Sequence, residues 1–104
     1  MDNLSKEREK ENWIRVTRDD VIKAIDIYKK DHTDYKRNRA IDTFLKYEGN
    51  CYSAKTVRGI AYELANGESI SKDRYSGGEE TVRFFKKLGF EVLYPSDCKE
   101  PWEK

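Results

Sequence analysis

The stretch Tyr52–Val92, YSAKTVRGIAYELANGESISKDRYSGGEETVRFFKKLGFEV, holds two helix patterns, two glycine stops, a Ser-Gly-Gly corner and a closing strand. Ser53 stands as N-cap of a helix predicted over Ala54–Asn66, with Val57, Ile60, Ala61 and Leu64 as its apolar stripe and Gly67 as its stop. A second helix is expected from near Gly78 to Leu88, with Val82, Phe85 and Leu88 on one face, Ser76 as N-cap and Gly89 ending it. Phe90, Val92 and Tyr94 then alternate with Glu91 and Leu93, the pattern of a short strand closed by Pro95. One strand needs a partner, and Cys51-Tyr52 or the segment around Ile70 is the expected one.

Working outward toward the N-terminus, residues 1–12 alternate charge without apolar period, so they form either a frayed extension or the exposed start of a helix. Trp13, Ile14 and Val16 read as an anchor on the core. Thr17 with Asp20 three positions on has capping-box geometry and opens a helix predicted over Arg18–Asp31, its face formed by Val21, Ile22, Ile25 and Tyr28. A further helix is predicted over Tyr35–Glu48, with Ala40, Ile41, Phe44 and Leu45 inward and Gly49-Asn50 as its stop. The expected fold is therefore mainly α with minor β: a four-helix domain over 13–94 with one or two short strands, and a tail over 95–104.

Composition narrows the function. At 104 residues the chain has room for one small core. Its 21 basic and 20 acidic side chains nearly cancel, so no field exists to drive tight nonspecific nucleic-acid binding, and any anion site must be local. The apolar runs are too short to span a membrane, and the charged N-terminus is not a secretory signal, so a cytoplasmic setting is expected. Cys51 and Cys98 match no metal spacing and are expected as reduced thiols, with a Cys51–Cys98 disulfide as the lesser alternative.

Catalytic chemistry finds little to stand on. His32, the single histidine, lies between Asp31 and Asp34 with no nucleophile at a recognisable spacing. No Walker loop or dinucleotide fingerprint occurs. No enzyme, cofactor or metal is expected.

Local anion sites are the better candidates. Glycines before a helix leave backbone N–H groups at the positive end of its dipole, so Ser76, Gly77 and Gly78 form one candidate, with Lys72, Arg74 and Arg83 near in sequence. Glu79 and Glu80 oppose it, because they already complement that dipole. Tyr52, Lys55 and Arg58 form a second candidate: Lys55 lies in the first turn of its helix, a poor place for a cation unless a carboxylate or an external anion meets it. Lys36, Arg37 and Arg39 add a third basic cluster, diluted by Asp34 and Asp42.

Tyr52-x-x-Lys55, Gly59-x-Ala61, Gly67, Ser76-Gly77-Gly78 and Leu88-Gly89-Phe90-Glu91-Val92, in this order and spacing, resemble the N-terminal head domain of ScoMcrA-type, HNH-containing, modification-dependent restriction endonucleases. The resemblance starts at Arg18-Asp19-Asp20-Val21-Ile22-Lys23-Ala24-Ile25 and runs to Val92. It implies an accessory domain of a DNA-defence enzyme, which contacts DNA or organises the assembly. The family's sulfur-binding, modified-base-binding and HNH modules are not in this sequence, so cleavage by this chain is not expected. The resemblance implies a longer segment between the family's second and third helices, read as a hairpin. Here Gly49-Asn50-Cys51 stands in its place, and a reduced sheet is expected. The expected partner is DNA, bound weakly and in modified form if the family's habit holds, or else a nuclease or other defence protein. The protein-partner alternative draws on the aromatic content: Tyr28, Tyr35, Tyr47, Tyr62, Tyr75 and Trp102 are too many for so small a core, and exposed aromatics suit interfaces.

Overall fold

A computed structural model of the chain describes residues 2–35, 43–71, 74–75 and 78–94, with side chains from residue 7 and none over 32–35. The elements are α1 (Asp2–Arg15), α2 (Arg18–Tyr35), β1 (Phe44–Tyr47), β2 (Asn50–Ser53), α3 (Ala54–Asn66), α4 (Glu79–Lys87) and β3 (Glu91–Leu93). The mainly helical class with a small sheet is thus observed, with four helices and three antiparallel strands, in the order β2-β1-β3, among the described residues.

Local signals place α2, α3 and α4 where the sequence puts them. Thr17 and Asp20 close the capping box reciprocally: the Thr17 N–H donates to Asp20 Oδ2 at 2.9 Å and the Asp20 N–H to Thr17 Oγ1 at 3.2 Å. Helix α2 loses helical geometry at Asp31 (φ −115°, ψ 24°), the expected end, before one further turn carries it to Tyr35. Ser53 Oγ accepts from the Thr56 N–H, and Gly67 adopts φ 72° while its N–H donates to Glu63 O at 2.8 Å. Gly78, rather than Ser76, is the N-cap of α4. Ser76 lies outside the described residues. At the other end of α4, Arg18 Nη1 donates to Leu88 O at 2.8 Å and its guanidinium lies 4.3 Å from the Phe90 ring. A cation that would be unwelcome at the start of α2 therefore serves the carbonyl end of α4.

Two expectations are corrected. The segment assigned to a second helix ends in β1, and Gly49 with Glu48 forms the β1–β2 hairpin turn at φ 81° and φ 50°. Positive φ at both central residues is what a tight type I′ hairpin demands, so the left-handed signal belongs to a turn and not to a helix stop. Residues 36–42 of that expected helix lie outside the described residues, as do Lys36, Arg37 and Arg39. Strand β3 pairs with β1, Leu45 facing Val92, rather than with Cys51-Tyr52 or Ile70. Of residues 1–12, expected as a frayed extension or the exposed start of a helix, 2–12 belong to α1, which runs on to Arg15.

The core lies where α2 packs against α3, with side chains of the sheet and α4 completing it. Val21, Ala24, Ile25 and Tyr28 from α2 meet Val57, Ile60 and Ala61 from α3, with Leu45, Tyr52, Phe85 and Phe90 completing the cluster. Leu64 and Ile14, expected inward, are exposed, and Thr81 takes a fully buried place instead. Tyr28, Tyr62 and Tyr75 are all buried, which removes much of the expected aromatic surplus at the surface. Cys51 is buried and disulfide-bonded, against the expectation of reduced thiols. Distance along the chain says nothing about distance in space, and the other cysteine, Cys98, lies outside the described residues.

Candidate functional site

Helix α3 turns two side chains one turn apart, Arg58 and Tyr62, toward the face that α1 covers. Both are buried, at 2% and 1% exposure. Trp13 of α1 fills the angle between them, edge-on to Tyr62 at 4.6 Å and to Tyr75 at 5.2 Å. Asn12 Nδ2 donates to Tyr62 Oη at 2.9 Å, and Asn66 Nδ2 to Asn12 O at 3.0 Å. The charged α1 is thus held by a short apolar and amide anchor, helped by the two-pronged pair of Arg74 with Glu9 and the exposed pair of Arg8 with Glu68.

The Arg58 guanidinium sits in an aromatic box, 4.0 Å from the Trp13 ring, 4.8 Å from Phe84 and 5.2 Å from Tyr75. Its Nη1 donates to Thr81 Oγ1 at 2.9 Å and to Glu80 Oε1 at 3.2 Å, while Nε is buried without a hydrogen-bond partner. Burial lowers its pKa below the usual arginine value, and the Glu80 carboxylate opposes that shift. A flat, delocalised cation can lie against ring faces in a way an ammonium cannot.

Above this box, α1 and α4 leave a cleft of about 440 Å³. Trp13, Ile14, Val16, Phe84 and Leu88 line it with apolar surface; Lys10, Arg83 and Lys87 stand around it, with the Arg58–Glu80 pair at its base. Ile14 is 78% exposed. Arg83 bonds Glu79 one turn back at 2.9 Å, an exposed pair that constrains it little.

The residues singled out from the sequence fall in different places. Tyr52 is 1% exposed and edge-on to Tyr28, and burial raises its pKa. Tyr52 is thus part of the core, and Arg58 lies buried at the base of the cleft. Lys55 is half-buried, its Nζ 5.4 Å from the Tyr75 ring, so the awkward first-turn cation has an aromatic face beside it. Arg74 keeps 42% of its side chain exposed despite the Glu9 pair. Gly78 caps α4, and Glu79 and Glu80 occupy the first turn as the dipole favours. Lys72, Ser76 and Gly77 lie outside the described residues. The cleft itself was not foreseen. Its signal is present in α4, where Phe84 and Leu88 make one stripe and Arg83 and Lys87 make the next.

Among the described residues no three His, Cys, Asp or Glu side chains gather to hold a metal, and no helix is long and apolar enough to cross a membrane. Fold and site define a small helical domain with a three-stranded antiparallel sheet, marked by an apolar cleft among cations. The chain belongs to the family of ScoMcrA-like N-terminal head domains, which matches residues 14–94, from the last turn of α1 to just past β3. This is a head region, distinct from catalytic nuclease domains. No curated protein and no solved structure gives a significant match.

Proposed function

We propose that the chain is a non-catalytic, DNA-associated accessory module of the modification-dependent restriction type, touching the DNA backbone through a local basic face. The family match over most of the chain carries this reading. On the described surface the face comprises Lys55, Arg74 and the backbone at Gly78, and Lys72, Ser76 and Gly77 belong to the same proposal. So few cations neutralise few phosphates, so binding is weak and its logarithm falls with log salt at a slope of roughly −2 to −3. Anisotropy of a labelled duplex at two salt concentrations tests it. Salt-sensitive binding lost in Lys55→Glu with Arg74→Glu, the fold intact by circular dichroism, is the expected result. Unchanged affinity in that variant sinks the face. The reading sets the domain in the cytoplasm, where a disulfide such as that of Cys51 is uncommon, and a thiol count on protein isolated under alkylating conditions tests that setting.

A second reading is favoured by the cleft between α1 and α4: a module that binds a separately encoded nuclease or defence protein, in support or as inhibitor. Lys10, Arg83 and Lys87 around an apolar floor suit a protein segment better than a phosphate track.

A further inference from the structure

The α1–α4 cleft combines two properties that seldom coincide on a solvated surface. Its floor is apolar, built on Trp13 and Phe84, and Ile14 at its edge is left 78% exposed by a helix that otherwise buries what it can. Its lining is mostly cationic: Lys10, Arg58, Arg83 and Lys87 line it with the carboxylate of Glu80, while Glu79 pairs with Arg83 beside it. The chain as a whole is balanced at +1, so this asymmetry is local. Arg58 strengthens it from beneath, because a guanidinium at 2% exposure is poorly screened by water and has one carboxylate beside it, on a side chain that is itself 55% exposed.

We propose that this cleft is the docking groove for an acidic amphipathic segment of a protein partner. One large aliphatic or aromatic side chain of that segment seats between Ile14 and Leu88 on the Trp13–Phe84 floor. Flanking carboxylates meet Lys10, Arg83 and Lys87. The inference rests on the protein-interaction reading above and adds the site and the chemistry of the partner. A helix laid into a groove between two helices uses such anchors at three- and four-residue spacing, and opposite charge sets its register and its rate of encounter. Nucleic acid fits less well. The apolar floor would meet a charged backbone, whereas an amphipathic segment sets an apolar side chain on it.

The test uses the full chain, labelled for amide NMR, with three synthetic helical peptides and a DNA duplex. One peptide carries leucine at helical spacing among glutamates. The second replaces glutamate by lysine, and the third replaces leucine by serine. The expected result is binding of the first peptide alone, with shifts confined to Lys10–Val16, the Trp13 indole N–H and Arg83–Leu88. Lys10→Glu with Lys87→Glu should weaken it about tenfold or more, and both positions are exposed, so the far-ultraviolet spectrum should not change. Equal binding of the lysine or serine peptide overturns the proposal, as does silence at millimolar peptide. Peptide shifts that map to another surface overturn the groove but leave the protein-interaction reading standing. If DNA alone moves the groove residues, both fall and the DNA reading takes the site.

Discussion

Replacing Gly59 by alanine should destabilise the protein, although it sits inside a helix where alanine is ordinarily the better residue. In the middle of α3 the substitution is worth about 1 kcal/mol in favour of folding on propensity alone. Here a Cβ at Gly59 would overlap Tyr75 Oη, while the ring's Cζ lies at an ordinary 3.4 Å. Tyr75 is buried, donates its hydroxyl to Lys55 O at 3.1 Å and packs edge-on to Trp13, so to yield it must give up these contacts. Moving it forfeits a hydrogen bond worth about 1 kcal/mol and adds about 1–3 kcal/mol of overpacking. The net expectation for Gly59→Ala is a loss of about 1–3 kcal/mol, roughly 5–15 °C in Tm for a domain of this size. Removing the obstacle should reverse the sign. Tyr75→Phe alone costs about 1 kcal/mol for the lost hydrogen bond, and Gly59→Ala in that background should then stabilise by about 0.5–1 kcal/mol. Four denaturant titrations complete the double-mutant cycle, with an expected coupling of about 2 kcal/mol. The same effect of Gly59→Ala in both backgrounds would refute the reasoning, since the clash would then not be with the hydroxyl.

Three further outcomes follow from the same geometry. Burial pushes the Tyr75 pKa from 10.0 up to about 12 and raises that of Tyr52, so the unfolded chain ionises first; stability should be fully present below pH 10 and fall by about 2–3 kcal/mol toward pH 12, and a flat Tm over that window would contradict it. Asp20→Ala removes half of the capping box and should cost about 1 kcal/mol, read as a lower denaturation midpoint with an unchanged slope. Arg58→Ala empties the box of Trp13, Tyr75 and Phe84 and strips Glu80 and Thr81 of their shared donor, at a cost of about 3–5 kcal/mol. Arg58→Lys should recover little of this, because an ammonium does not stack, and full recovery by lysine would show that charge alone matters.

The boundary between what was legible and what was not runs through particular residues. Ser53 and Gly67 delimit α3, Thr17 and Asp20 open α2, and Gly89 closes α4, because each acts on groups within four residues of itself. Local chemistry of that kind survives in any surroundings, and so does the order of motifs that marks the head-domain family. Composition likewise determined that the charge is balanced and the core small. Phe44–Tyr47 is different. Its apolar residues fit a helical stripe as well as a strand, and the decision came from β2 on one side and from β3, far along the chain, on the other. The same holds for Arg58. By residue type it belongs at the surface. It lies in the core because Trp13, Tyr75 and Phe84, from three separate parts of the chain, close around it and Glu80 and Thr81 accept its hydrogen bonds. Helix ends and caps are written in neighbouring residues, whereas strand partners, the cleft between α1 and α4 and the burial of a cation depend on contacts between segments distant in sequence, which only the folded chain brings together.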